Sequence, residues 1–230
     1  MFYLHLLTAR AILFVSLLIL LGVAINAAGS GFRPETCSFI GGTLFLVAFI
    51  PYNIHLARGG ESVWVSWLVW CLLDTSTLAG MLAKEAANWQ IIAAVIGGWI
   101  TFGFVVNQGR PQWGDREKVE KRDKLCLAGA AVGFVLWLAA DASWGITAFM
   151  ATLLIGSWPI VQETWKHPGQ ESFLAWCLFL TSCVFTVAGI AAEKTWTLAN
   201  AAQPLAFLAV ETVVVFVLIA APRRPDQIPD

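Results

Sequence analysis

The chain has 230 residues and a formal net charge of −1; 58% of its residues are hydrophobic and only 13% are charged. A soluble domain carries about 25% charged residues, and a chain this apolar lacks the polar groups to cover its own surface, which excludes an ordinary water-soluble fold. The near-neutral charge gives no footprint for nucleic acid, so the expected solvent partner is the lipid bilayer.

A spanning helix needs about 20 mainly apolar residues, and the charges cut the chain into blocks near that length. In order they are Ala11–Phe32, Thr36–Ala57, Ser62–Ala83, Ala86–Gly109, Leu125–Ala140, Ala142–Gln162, Ser172–Ala192 and Thr195–Pro222. Because the runs are continuous and do not alternate apolar with polar, they read as helices and not barrel strands. The expectation is an all-α integral membrane protein with about eight transmembrane helices. The first block, with Arg10 before it and Asn26-Ala27-Ala28 near its end, has features of a signal peptide. Its apolar run is longer than a usual signal core, so residues 1–32 read as an uncleaved N-terminal helix.

Basic residues orient the chain, since they concentrate in cytoplasmic loops. With eight spans, Arg33, Lys84 and Lys194 fall on one side. Arg10, Arg58, Lys166, Arg223, Arg224 and the six basic residues of the loop Arg110–Lys124 fall on the other. Both termini are therefore expected in the cytoplasm, in the plasma or inner membrane. Trp64, Trp89, Trp144, Trp165 and Trp196 stand at block ends, where an amphipathic ring suits the headgroup level. Cys37, Cys71, Cys126, Cys177 and Cys183 show no metal or redox spacing and read as small packing residues. Gly41-Gly42 and Gly97-Gly98 read as sites of close helix approach.

The second half of the chain repeats the first at an offset of about 108 residues. Pro51 and Pro159 lie near the ends of their blocks. Short loops ending Glu61-Ser62 and Glu171-Ser172 follow. Then come Trp67 and Trp176, Leu78-Ala79-Gly80 and Val187-Ala188-Gly189, Lys84-Glu85 and Glu193-Lys194, Trp89 and Trp196. Residues 36–109 read as one three-helix repeat and 142–222 as the second. A charged cytoplasmic loop (110–124) and a linker helix (125–141) join them, and residues 223–230 form a cytoplasmic tail. A single linker helix makes this a parallel 3+1+3 repeat.

These motifs, Pro51 to Ser62 and Pro159 to Ser172, resemble those of the PQ-loop and SWEET/SemiSWEET transporter superfamily, with three-helix repeats, one linker helix and a proline near the cytoplasmic end of each repeat's first helix. The resemblance spans about residues 36–222. Tyr52 and Ile160 stand where that family has glutamine, Ala93 stands opposite Asn200, and the N-terminal helix is additional. The resemblance implies alternating access between two bundles and an asparagine, Asn200, facing the substrate.

Asp74 and Glu211 lie near the middle of their blocks. An acid there is costly unless it faces the bundle interior or a wet cavity, and such residues mark solute or proton pathways. The expected substrate-binding set is Asp74, Asn200 and Glu211, with Thr75 and Trp70. Pro51 and Pro159 are expected hinges, because each removes a helical hydrogen bond. Asn53 and Gln162, with His55 and Glu163 nearby, are candidates for the adjoining gate or for plain wet helix ends. Gln203-Pro204 is a candidate local break. No catalytic triad, phosphate loop or metal-spaced His pair is present, so no enzyme activity and no cofactor are expected. The expectation is a transporter of a small polar solute, sugar-like or amino-acid-like, with proton coupling and homo-oligomeric assembly both open. The alternative is a non-transporting receptor, scaffold or accessory subunit.

Overall fold

The boundaries of the helices follow from the chemistry of their ends. The computed structural model describes residues 33–58, 64–108, 121–193 and 196–221. The expected first span (1–32), most of the central charged loop and the tail lie outside the described residues. The elements are α1 (Pro34–Ala57), α2 (Trp64–Ala83), α3 (Trp89–Gln108), α4 (Lys121–Ala139), α5 (Ala142–Lys166), α6 (Phe173–Glu193) and α7 (Leu198–Ala220), with a 3-10 turn at Pro168–Gln170. Every regular element among the described residues is helical. Helices α1, α5, α6 and α7, and α3 over Trp89–Asn107, are long and apolar enough to cross a membrane. Shorter apolar helical stretches lie at Trp67–Ala83 and Ala128–Ala139. The molecule is a helical, membrane-embedded protein.

Pro34 opens α1 at a position whose N–H would have no helical partner, and Glu35 in the first turn suits the positive end of the helix dipole. Helix α2 ends in a Schellman-type cap. The Ala86 N–H donates to the Met81 carbonyl at 2.9 Å and the Glu85 N–H to Leu82 at 3.1 Å. Glu85 adopts φ 54°, a left-handed conformation usually given to glycine. Asp141 caps α5 by accepting from the Ser143 N–H at 2.7 Å. Thr197 and Asn200 form a reciprocal capping box that starts α7 at Leu198. Two ends differ from the hydropathy reading. Helix α4 begins at Lys121, so its charged first turn is helical, and α5 runs on to Lys166, so Gln162 and Glu163 sit within a helix. Charged residues near a helix end can reach water while the backbone ladder continues.

Helix α1 packs against α3 and α6; α2 packs against α3 and α5; α5 packs against α4 and α7; α6 packs against α7. Consecutive helices α1 and α2 share no extensive contact, and neither do α5 and α6. Two adjacent glycines divide the approach of α1. A Cβ on Gly41 would meet the Ser182 carbonyl of α6 at 3.1 Å, and one on Gly42 would meet the Trp89 backbone of α3 at 2.6 Å. Gly97 of α3 leaves room for the Phe49 ring. Aromatic rings fill the centre. Phe45 lies 4.7 Å from Phe179 and 5.5 Å from Phe207 between centroids, and Phe49 lies 5.0 Å from Phe179. Such pairs stabilise beyond the area they bury.

Replacing Gly42 by leucine drives a branched side chain into backbone that cannot step aside, with an expected cost of about 1–3 kcal/mol. Thermal unfolding of the purified protein in detergent should show a clear loss. Gly103→Ala, at a position with nothing within 4 Å of an added Cβ, should leave the transition unchanged. Equal behaviour of the two variants would contradict the α1–α3 contact.

Candidate functional site

Six helices converge on a cavity of about 70 Å³, room for several water molecules. Helix α1 supplies Phe45, Phe49 and Tyr52, and α2 supplies Trp67, Trp70, Cys71 and Asp74. Helix α5 supplies Leu153 and Ser157, α6 supplies Trp176 and Phe179, and α7 supplies Phe207, Val210 and Glu211; α3 comes closest at Gly98. Within each helix these positions recur at intervals of three or four residues, with Trp70-Cys71 and Val210-Glu211 as adjacent pairs, the pattern of one helical face.

Asp74 and Glu211 are the acidic groups on this wall, and both are buried, at 9% and 6% exposure. Asp74 Oδ1 and Glu211 Oε2 are enclosed with no hydrogen-bond partner. Thr77 Oγ1, almost one turn beyond Asp74, is in the same condition. An unsatisfied buried polar atom carries its full desolvation cost, and no Lys, Arg or His lines the cavity to offset it. The site is therefore an aromatic chamber with two carboxyl groups and unspent acceptor capacity.

The other expected residues divide. Trp70 joins the cavity wall. Thr75 lies off the cavity-facing side of α2, exposed; its hydroxyl donates to the Cys71 carbonyl at 2.6 Å and accepts from Trp99 Nε1 at 3.0 Å. Asn200 stands apart from the cavity. Its side-chain oxygen accepts from the Thr197 N–H at 2.9 Å, so it serves the cap of α7. Helices α1 and α5 run unbroken through Pro51 and Pro159, and α7 runs unbroken through Pro204, so the local break considered at Gln203-Pro204 is absent. Asn53 donates to Thr101 Oγ1 of α3 at 3.1 Å, while its own Oδ1 is buried without a partner. Gln162 is exposed on α5. His55 Nε2 lies 2.6 Å from the Gln170 carbonyl, tying the end of α1 to the turn between α5 and α6.

Two groups escaped the sequence reading. The first is a chain of amides on the Lys84 side of the cavity. Asn88 donates to Gln203 at 3.1 Å, Gln203 to Gln90 at 3.1 Å, Gln90 to Ser182 at 3.0 Å, and Ser182 to the Gly41 carbonyl at 2.7 Å. It joins α3, α7, α6 and α1. Gln90 and Gln203 are fully buried, and their bonds to each other, to Asn88 and to Ser182 make that tolerable. The second is Glu171, which accepts from Trp176 Nε1 at 2.7 Å and lies close enough to Glu211 for the two carboxyl groups to interact electrostatically. The aromatic wall itself was legible as helical spacing, Phe45/Phe49/Tyr52 and Trp67/Trp70/Asp74, but that spacing also marks any packed core. Lys84, after α2, pairs with Asp141, before α5. That bond and the Ser143 N–H hold the Asp141 carboxyl down to about 2.

Comparison of the chain with protein-family models, curated proteins and solved structures returns no match.

Burial pushes the Glu171 carboxyl up to about 7 from its ordinary 4.5, against the opposing effect of the Trp176 bond. The folded protein thus keeps a proton that the unfolded chain has already released, so stability falls as pH rises through this window and levels off above it. Thermal unfolding should show a midpoint that drops from about pH 5 to about pH 7, with a flatter profile in Glu171→Gln. The same slope in both proteins would mean Glu171 is not the group responsible.

Proposed function

We propose that the protein is a membrane transporter that moves a small polar solute by alternating access between two three-helix bundles, α1–α3 and α5–α7, joined by the linker α4. The observation that carries this reading is the cavity lined by Asp74 and Glu211, each with one buried carboxyl oxygen unpartnered, between helices of both bundles. The contact pattern supports the pairing. In each triplet the third helix packs on the first and the second, and the first helix of each packs on the second helix of the other. The walls support it too. Phe45 and Leu153, Phe49 and Ser157, Trp67 and Trp176, Trp70 and Phe179 occupy matching positions in the two halves, at the repeat offset read in the sequence. This arrangement suits the resemblance to the PQ-loop and SWEET/SemiSWEET superfamily. Together with residues 1–32 it makes eight spans, with both termini cytoplasmic by the distribution of basic residues.

On this reading the amide chain from Asn88 to Ser182 closes the extracellular side of the cavity, and the His55–Gln170 contact belongs to the cytoplasmic gate, near Pro51 and Pro159. A second reading, a non-transporting receptor, scaffold or accessory subunit, draws on the modest size of the cavity; it predicts ligand binding without flux.

In proteoliposomes screened with labelled sugars, amino acids and amines, the wild-type protein should accumulate at least one solute. Asp74→Asn and Glu211→Gln should each lower that uptake about a hundredfold while retaining a cooperative thermal transition. Undiminished uptake in both variants would remove the site, and binding with no flux of any solute would favour the second reading.

A further inference from the structure

The chemistry of the cavity narrows the solute. We infer that the site takes a small organic monocation, an alkyl-substituted ammonium carrying no anionic group. This inference rests on the proposed transport reading for its consequence but on the cavity alone for its recognition chemistry.

Two carboxyls more than nine-tenths buried, Asp74 and Glu211, line the cavity, and each has one enclosed oxygen without a hydrogen-bond partner. No cationic side chain among the lining residues balances them. A bound cation would supply the missing positive charge and satisfy the vacant acceptors together. The remaining wall is largely aromatic, with Trp67, Trp70, Trp176, Phe45, Phe179 and Phe207 prominent in it. Aromatic faces attract organic cations, tryptophan most of all, and recognise quaternary ammonium groups in this way.

Other solutes fit the same wall poorly. A sugar needs a ring of donors and acceptors around its hydroxyls. The amides that could provide them, Asn88, Gln90 and Gln203, are bonded to one another outside the cavity lining. A zwitterionic amino acid would bring a carboxylate beside Asp74 and Glu211 with no Lys or Arg to receive it. A hard inorganic cation wants six or more oxygen ligands, and the side-chain oxygens of this wall are those of two carboxyls and the hydroxyls of Tyr52 and Ser157.

The test compares choline, glycine betaine and glucose. Betaine keeps the trimethylammonium group and adds a carboxylate, so it isolates the effect of net charge. Binding to the purified full-length protein is measured by calorimetry and thermal shift in detergent, and flux is measured separately in proteoliposomes. Choline should bind at least about tenfold more tightly than betaine, with no heat from glucose, and should raise the unfolding midpoint. Asp74→Asn or Glu211→Gln should weaken choline about tenfold or more. Trp70→Leu, which leaves both carboxyls in place, should weaken it further than it alters thermal stability. Choline binding without choline flux would sustain the cation inference and overturn the transport reading. Flux of glucose or a neutral amino acid without choline binding would do the reverse. Equal affinity for choline and betaine would overturn the inference without recourse to any variant.

Discussion

A carboxyl group cannot rest against acyl chains. Its charged form loses hydration that lipid does not replace, and even its neutral form asks for hydrogen-bond partners. Asp74 and Glu211 therefore constrain the rotation of α2 and α7 about their own axes, because each helix must turn its acid away from lipid. Once both acids point inward, residues a turn before them on the same face follow, Trp70 and Cys71 on α2 and Phe207 on α7. The aromatic chamber is in this sense a consequence of where two acids sit on two helices.

Around that chamber the packing assigns different tasks to similar residues. Trp89, Trp144, Trp165 and Trp196 are exposed at helix ends, the placement an interfacial ring prefers. Trp67 and Trp176 are buried against the cavity at matching positions in the chain. Buried amides are treated the same way. Gln90 and Gln203 are satisfied in a chain that crosses four helices, whereas one oxygen each of Asp74 and Glu211 has no partner. The contrast separates a closed structural network from a surface with capacity to bind. On the proposed reading one end of the molecule is held shut by the first while the second waits within.

Much of the fold was legible because transmembrane helices announce themselves by length and hydropathy. Seven of the expected blocks correspond to helices, and the turn at Lys84-Glu85 and the break at Asp141 fall where charge interrupts the apolar runs. Helix ends were less legible, since the Lys121 start of α4 and the Lys166 end of α5 depend on charged side chains that tolerate helix near water. The inward acids were legible from cost alone. Asn200 was not, because an asparagine two residues after a helix start serves equally as a cap, and only the reciprocal bond to Thr197 decides between the roles. Thr75 illustrates the same limit, as its neighbour Asp74 points one way and it points the other. Glu171 was legible only as part of the repeated Glu-Ser pair, because its burial and its bond to Trp176 across a turn leave no mark in the sequence.

The decisive observation is which face of α2 and α7 meets water. In a background with the native cysteines replaced, single cysteines at positions 74 and 211 should react with a small charged thiol reagent. Cysteines at positions 72 and 213, where Leu72 and Val213 face outward, should react only with a membrane-soluble one. Labelling of 72 and 213 by the charged reagent, with 74 and 211 silent, would place the acids against lipid and contradict the account.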